Sequence, residues 1–157
     1  MTQTAAQRTA RVVVGVDRTD AHDHAVLGAA FEHARRAGAD LCIVHAIPPD
    51  DQPPAAPLDA AARRRRLTAR HQHIQATTAD LHHRVAHRGA HHTVLYDIRY
   101  GDPATAILRA AQHADLIVVG TRGDSSHGSP LLLGPVSQDV AVHATCPVLL
   151  IPTTPPT

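Results

Sequence analysis

The sequence predicts an α/β protein built on a five-stranded parallel sheet with helices on both faces. Three observations favour this class. Short apolar runs rich in Val, Leu and Ile recur along the 157 residues, and segments with helical periodicity separate them. Each run ends in Gly, Pro or polar residues that break its pattern. Strands that alternate with helices in this way form a parallel sheet, whose crossovers place helices on both faces.

The N-terminal part of the chain begins with two strands around one helix. The β-branched run 12–16 predicts the first strand. Asp20, with Asp23 three residues later, predicts a capping box at the start of the first helix. Gly38 ends that helix, and the apolar run 41–47 predicts the second strand.

The second helix follows a proline-rich surface loop over residues 50–57. Its pattern begins at Leu58, and its apolar positions step by four and three, which places one stripe against the sheet. Gly89 lies just beyond the helix, where a C-terminal stop is expected. The predicted stripe comprises Leu67, His71, Ile74, Thr78, Leu81 and Val85.

The C-terminal part repeats the alternation. The run 93–98 predicts the third strand, after which Asp102 supplies an N-cap and Pro103 suits the first helical position. The uninterrupted apolar run 116–119 predicts a fourth strand that is buried on both faces. The remaining predicted elements are a glycine-rich loop over 120–134, a helix over 135–143 and a fifth strand over 147–151.

Composition excludes several classes of protein. Fifteen basic residues face fourteen acidic ones, so no global field attracts nucleic acid, and 2% aromatic residues leave few rings on which bases stack. No apolar run approaches the roughly eighteen residues that cross a bilayer. Cys42 and Cys146 lie in apolar runs, which predicts two buried, reduced thiols. We expect one domain over 1–157, with flexible termini at 1–10 and 152–157, soluble and cytoplasmic, with no nucleic-acid or membrane partner.

Three segments resemble the universal stress protein family. They are VVVGVDRTD near the start, GDPATAILRAAQHADLIVVGTRG in the second half and LLLGPVSQDVAVHATCPVLLIP at the end, and the match that they anchor spans nearly the whole chain. The resemblance implies a Rossmann-like fold of the adenine nucleotide alpha-hydrolase-like kind, with its sheet in the order 3-2-1-4-5. It also implies a homodimer formed through the last strand, Val148–Ile151.

The same resemblance implies a nucleotide site, which here departs from the family pattern. Many members bind ATP through G-x-x-G, nine residues and then G-S or G-T, and others lack the pattern and bind none. Gly120 and Gly123 match the first pair and Gly134 matches the third glycine, but ten residues separate Gly123 from Gly134. Pro135 replaces the expected serine, and it has neither an N–H nor a hydroxyl to offer a phosphate.

Other positions complete the implied site. Asp17 matches the acidic residue that faces the nucleoside, and Ala46 matches the position whose backbone meets the adenine. Arg122 is placed to approach a phosphate, and Ser137 stands where the family has a phosphate-contacting hydroxyl. The alternative is structural, since glycines also turn the chain and an aspartate also caps a helix. The implied ligand is ATP, alone or with Mg²⁺, and the implied binding residues are Asp17, Ala46, Gly120, Arg122, Gly123, Gly134, Val136 and Ser137.

Three functions stay open at this stage. The favoured one is a non-enzymatic stress-response and signalling module in which an adenine nucleotide shifts the dimer or a partner surface. A slow ATP hydrolase is the second, although Asp17 and Asp124 are the only acids evident near the loop, and we assign no catalytic residue. A dimeric scaffold without nucleotide is the third. His83 and His87 have a spacing that suits zinc, but no carboxylate or cysteine joins them, so we expect no metal site.

Overall fold

The structure is a computed structural model that describes residues 8–18, 20–49, 56–88, 93–121 and 133–153. Within these residues, five strands form one parallel sheet in the order β3-β2-β1-β4-β5, which confirms both the fold class and the implied strand order. The strands are β1 (Arg11–Gly15), β2 (Asp40–Ile47), β3 (Val94–Tyr100), β4 (Leu116–Gly120) and β5 (Val148–Ile151). The helices are α1 (Asp20–Ala37), α2 (Ala60–Val85), α3 (Pro103–Ala110) and α4 (Pro135–His143), and a 3-10 turn over Ala86–Arg88 follows α2.

The sheet separates two apolar cores. Helices α1 and α2 cover one face, where Val14 and Leu81 are fully buried, and α3 and α4 cover the other, where Val13 and Val140 are fully buried. Val13 and Val14 serve opposite cores because successive side chains of a strand point to opposite faces. The central strand β1 is therefore apolar at consecutive positions, as its sequence predicts.

Helix α2 is longer than the sheet can cover. Its 26 residues span about 39 Å, whereas the seven-residue strand β3 spans about 23 Å. Ile74 and Leu81 pack against the core, but Leu67 is 66% exposed and His71 is also exposed. The expectation that Leu67 and His71 join the inward stripe is wrong. Periodicity identifies the apolar face of a helix, but it does not show how much of that face meets the sheet.

Aspartate caps determine where two of the helices begin. Helix α2 begins at Ala60, two residues later than its pattern predicts, because Asp59 is the N-cap and its Oδ1 accepts the N–H of Ala62 at 2.7 Å. Asp102 caps α3 in the same way and accepts the N–H of Thr105 at 2.8 Å. The Asp102 cap is the one that the sequence predicts.

Two further expectations concern the cysteines and membrane-spanning segments. Both cysteines are free; Cys42 is buried, and its burial raises the pKa of its thiol. Cys146 is only partly buried, so the expectation of two buried thiols is wrong for this residue. None of the helices in the described parts of the chain has the length and apolar character that a membrane span requires.

Candidate functional site

The candidate site is the space beyond the carboxyl end of β1, where the strand order reverses, and it is called the crevice below. Strand β1 pairs with β2 on one side and with β4 on the other, and the chain leaves β1 after Gly15. Open parallel sheets bind ligands at this point, beyond the carboxyl ends of the strands. Asp17 follows β1, Ala46 lies near the end of β2, and Gly120 ends β4. The fold therefore brings three of the predicted site residues to one edge of the sheet.

The main chain of β2 faces this crevice at Ala46. Beyond β1 itself, Val16 donates its N–H to the Val44 carbonyl at 3.0 Å. Main-chain groups of a strand are directed alternately to its two neighbours, so the N–H and C=O of Ala46 are directed to the same side as those of Val44. At the level of Ala46 the neighbouring strand has ended. A donor and an acceptor on one residue therefore face the gap.

Strand β4 presents a carbonyl from the opposite side of the gap. Thr121 donates its N–H to the Ile151 carbonyl at 2.9 Å, toward β5. By the same alternation, the carbonyl of Gly120 is directed toward β1. Gly120 and Ala46 thus face each other across the space that β1 leaves.

Asp23 has a different role from the predicted one. Instead of completing a capping box, its Oδ1 accepts the main-chain N–H of Asp17 at 3.1 Å. Asp23 is only 5% exposed, and its Oδ2 has no hydrogen-bond partner among the described residues. Burial, together with the nearby Asp17 carboxylate, raises the pKa of Asp23 to about 7. Sequence reasoning missed this contact, and the one signal for it is a carboxylate six residues after Asp17.

Arg18 turns the chain from β1 toward α1. Its φ of 69° lies in the left-handed region, which costs a non-glycine residue about 1–2 kcal/mol. This backbone lets its guanidinium reach Asp80 of α2, with Nη2 3.2 Å from Oδ2. Asp80 also pairs with Arg84 at 2.9 Å, so the turn is joined to α2 by a small ion-pair network.

Two histidines lie beside the crevice. His22 of α1 places Nδ1 3.7 Å from Oδ2 of Asp17. His45 is 8% exposed and places Nδ1 2.9 Å from the Val16 carbonyl, so it donates from Nδ1. Burial lowers the pKa of His45, which keeps the ring neutral near pH 7. His45 is thus a buried residue with a hydrogen-bond partner.

The start of α4 is joined to the end of β4. The Thr121 carbonyl accepts the N–H of Gly134 at 2.8 Å and the hydroxyl of Ser137 at 2.8 Å. Ser137 is buried, and its hydroxyl hydrogen is engaged within the protein. Pro135 occupies the first turn without an N–H. The groups that α4 has for an anion are the N–H groups of Val136 and Ser137, which have no acceptor within the helix.

Some predicted residues lie outside the described part of the chain. Arg122 and Gly123 belong to this group, so their roles stay predictions. The same holds for Asp124 and Gly89. Among the residues that the structure does describe, no group of three or more His, Cys, Asp or Glu side chains is arranged to hold a metal ion.

Comparison with known proteins places the chain in a family. The model of the universal stress protein family matches residues 9–152. A protein of Thermus aquaticus described as a universal stress protein in the QAH/OAS sulfhydrylase 3' region is 40% identical over 136 residues, which are 84% of this chain and 93% of that protein.

Solved structures show the same relationship. Universal stress protein UspA from Lactobacillus plantarum matches with a TM-score of 0.66 and 26% identity, over 92% of this chain and 98% of the other. A universal stress protein in complex with cAMP matches with a TM-score of 0.64 and 28% identity, over 93% of this chain and 98% of the other. The chain that carries this crevice belongs to the universal stress protein family.

Proposed function

We propose that the protein binds an adenine nucleotide, ATP above all, in the crevice beyond β1 and acts as a non-enzymatic stress-response module. The observation that carries the proposal is the pair of main-chain groups on Ala46, which face the Gly120 carbonyl across the gap. An adenine edge presents a ring-nitrogen acceptor beside an amino donor, which complements an N–H and a C=O on one residue. A relative at 28% identity has been solved with cAMP, which supports this class of ligand.

Asp17 supplies the contact with the sugar. Its side chain is 31% exposed at the mouth of the crevice, and an ionised carboxylate accepts hydrogen bonds from hydroxyl groups. The last pair between β1 and β2 is Gly15 with Val44, and continuing the pairing by two residues places Asp17 beside Ala46. Ribose hydroxyls would therefore meet Asp17 while the base meets Ala46.

The start of α4 is the proposed phosphate side. The N–H groups of Val136 and Ser137 and the positive end of the helix dipole favour an anion there. Pro135 removes one donor, and the Ser137 hydroxyl already donates to main-chain carbonyls. This end of the site therefore has fewer donors for a phosphate chain than the G-S or G-T pattern provides.

We also place this function in the cytoplasm. Both cysteines of the chain are free, a state that cytoplasmic reductants maintain. Adenine nucleotides are present in the same compartment, so protein and ligand would meet there.

Freshly purified protein tests the proposed function. We expect denaturation to release an adenine nucleotide, and calorimetric titration with ATP, with and without Mg²⁺, to give a single site. Millimolar or absent affinity for ATP, AMP and cAMP alike would contradict the proposal and favour the scaffold. Release of phosphate from bound ATP would favour the hydrolase instead.

Pro135→Ser is expected to tighten ATP binding about tenfold or more, because it restores an N–H and a hydroxyl, and each hydrogen bond to a charged group contributes about 1.5–3 kcal/mol. Calorimetry with ATP measures the change, and adenosine, which has no phosphate, is expected to bind both proteins equally. Pro103→Ser is the matched control because Pro103 also occupies the first turn of a helix at this edge of the sheet. Unchanged ATP affinity in Pro135→Ser would refute this account of the phosphate side.

We further propose a homodimer through β5. This strand ends the sheet, and its four apolar residues are only partly buried. An apolar edge strand presents unpaired main-chain groups, and a second copy covers such an edge by pairing with it. One chain has a mass of 16.7 kDa, and light scattering at micromolar concentration is expected to give twice this mass. A monomer would contradict this proposal.

A further inference from the structure

We propose that Asp23 is a positioning residue of the nucleotide site, which holds the crevice open and makes nucleotide affinity fall as the pH rises through neutrality. The inference rests on the proposed function, because it concerns the same crevice. It assigns a role to a buried carboxylate that is not among the proposed nucleotide contacts.

Asp23 keeps the main chain of Asp17 away from β4. The ladder between β1 and β4 pairs Val14 with Val118. If it continued, the Asp17 N–H would meet the Gly120 carbonyl. That N–H instead donates to Oδ1 of Asp23 at 3.1 Å. The Asp23 carboxylate of α1 therefore replaces the Gly120 carbonyl as the acceptor for this N–H. The Gly120 carbonyl stays directed into the gap.

The carboxyl groups of Asp17 and Asp23 also act on each other. Asp23 is nearly fully buried, and its Oδ2 lacks a partner among the described residues. Burial and the Asp17 charge raise the pKa of Asp23 to about 7, so near neutrality Asp23 is present in both its protonated and its ionised form. When Asp23 is protonated, Oδ2 becomes a donor toward the Asp17 carboxylate and fixes its position.

Among the residues that the structure describes, two further charged or titratable groups near this pair are engaged or neutral. The Arg18 guanidinium forms an ion pair with Asp80 at 3.2 Å. Burial lowers the pKa of His45, which keeps its ring neutral near pH 7. His22 lies 3.7 Å from the Asp17 carboxylate and is a further ionisable side chain beside the site. The described titratable and charged residues that lie beside this pair or pair with its neighbours are Asp17, Arg18, His22, His45, Asp80 and Arg84.

The direction of the pH effect follows from charge and solvation. A nucleotide brings negative charge to the crevice and excludes water from it. Both effects disfavour an ionised carboxylate nearby, so the bound state keeps Asp23 protonated. Above about pH 7, Asp23 must then take up a proton when the nucleotide binds. The affinity therefore decreases as the pH rises.

Calorimetric titration with cAMP between about pH 6 and pH 8.5 tests this inference. Its phosphodiester has no second ionisation, whereas a phosphate monoester titrates near pH 6 and would confuse the profile. We expect the wild-type affinity to fall about tenfold across this range, with proton uptake seen in buffers of different ionisation enthalpy. Asp23→Asn keeps both an acceptor and a donor, so it should bind with a flat profile. Asp23→Ala should bind about tenfold more weakly than Asp23→Asn throughout.

His22→Gln is the control variant, and its affinity should keep the wild-type slope. A slope that disappears in His22→Gln and survives in Asp23→Asn would overturn the inference, as would a flat wild-type profile. Absence of cAMP binding by the wild type at every pH would remove the proposed function, and the inference with it.

The ligand-free protein gives an independent result. The folded pKa of Asp23 lies above its unfolded value, so its contribution to stability is full below the unfolded pKa and is lost as the pH rises through about 7. Asp23→Asn should therefore have a higher Tm than the wild type near pH 8, and the difference should shrink near pH 5. Equal pH profiles of Tm for the two proteins would contradict the assigned carboxyl pair.

Discussion

Replacement of Leu81 by alanine is expected to lower the free energy of unfolding by about 2–5 kcal/mol. Leu81 is 0% exposed and belongs to the core between α2 and the sheet. Alanine removes its buried methyl groups and leaves a cavity that the surrounding strands cannot fill. Urea denaturation followed by circular dichroism measures the change as a shift of the midpoint.

Leu67→Ala is the matched control for this prediction. It is the same substitution in the same helix, but Leu67 is 66% exposed on the part of α2 that extends beyond the sheet. We expect its effect to stay within about 0.5 kcal/mol. Similar losses in the two variants would mean that the N-terminal half of α2 is covered in solution, and the description of this helix would then be wrong.

Asp17→Ala is expected to abolish nucleoside binding, with a loss of affinity of about a hundredfold or more. The carboxylate is the proposed acceptor for the ribose hydroxyls, and each hydrogen bond to a charged group contributes about 1.5–3 kcal/mol. The Asp17 N–H remains available to Asp23, so the backbone of the crevice should persist. Titration with adenosine and with ATP measures the loss without and with the phosphate contribution.

Two variants control for charge and shape in this experiment. Asp139→Ala removes one exposed negative charge from α4 and should leave the affinity unchanged. Asp17→Asn keeps the shape of the side chain and should lose less affinity than Asp17→Ala. If Asp17→Ala binds adenosine as tightly as the wild type, Asp17 has no contact with the sugar.

The sequence predicts the order and type of the five strands and four α-helices that the structure describes, because each has a local signal. Pro135 and Asp102 are examples, since a proline in the first turn and a capping carboxylate define helix starts within a few residues. The end of β3 is less well predicted, and the strand continues to Tyr100 instead of residue 98. Its last residues lack an apolar pattern because Asp97 and Arg99 are charged. Their side chains pair on one face of the strand, where Nη2 of Arg99 lies 2.6 Å from Oδ2 of Asp97.

The candidate site is predictable only where it depends on the ends of strands. Asp17 and Gly120 follow from the topology, because parallel strands end at one edge of the sheet, whereas Ala46 is implied by the family resemblance. The role of Asp23 does not follow, since its partner is a main-chain N–H six residues earlier, a contact that no capping pattern describes. The exposed N-terminal half of α2 is not predictable either, because its exposure depends on the length of the neighbouring strands.

The proposed adenine nucleotide binds between the ends of β1, β2 and β4. Amide NMR spectra of the ¹⁵N-labelled protein, recorded during titration with ATP, test this binding most directly. We expect the largest shifts at Asp17, Ala46, Gly120, Val136 and Ser137, and no change at Asp40 and Asp115 on the opposite edge of the sheet. Spectra that do not change at saturating ATP, or shifts confined to that opposite edge, would contradict the account.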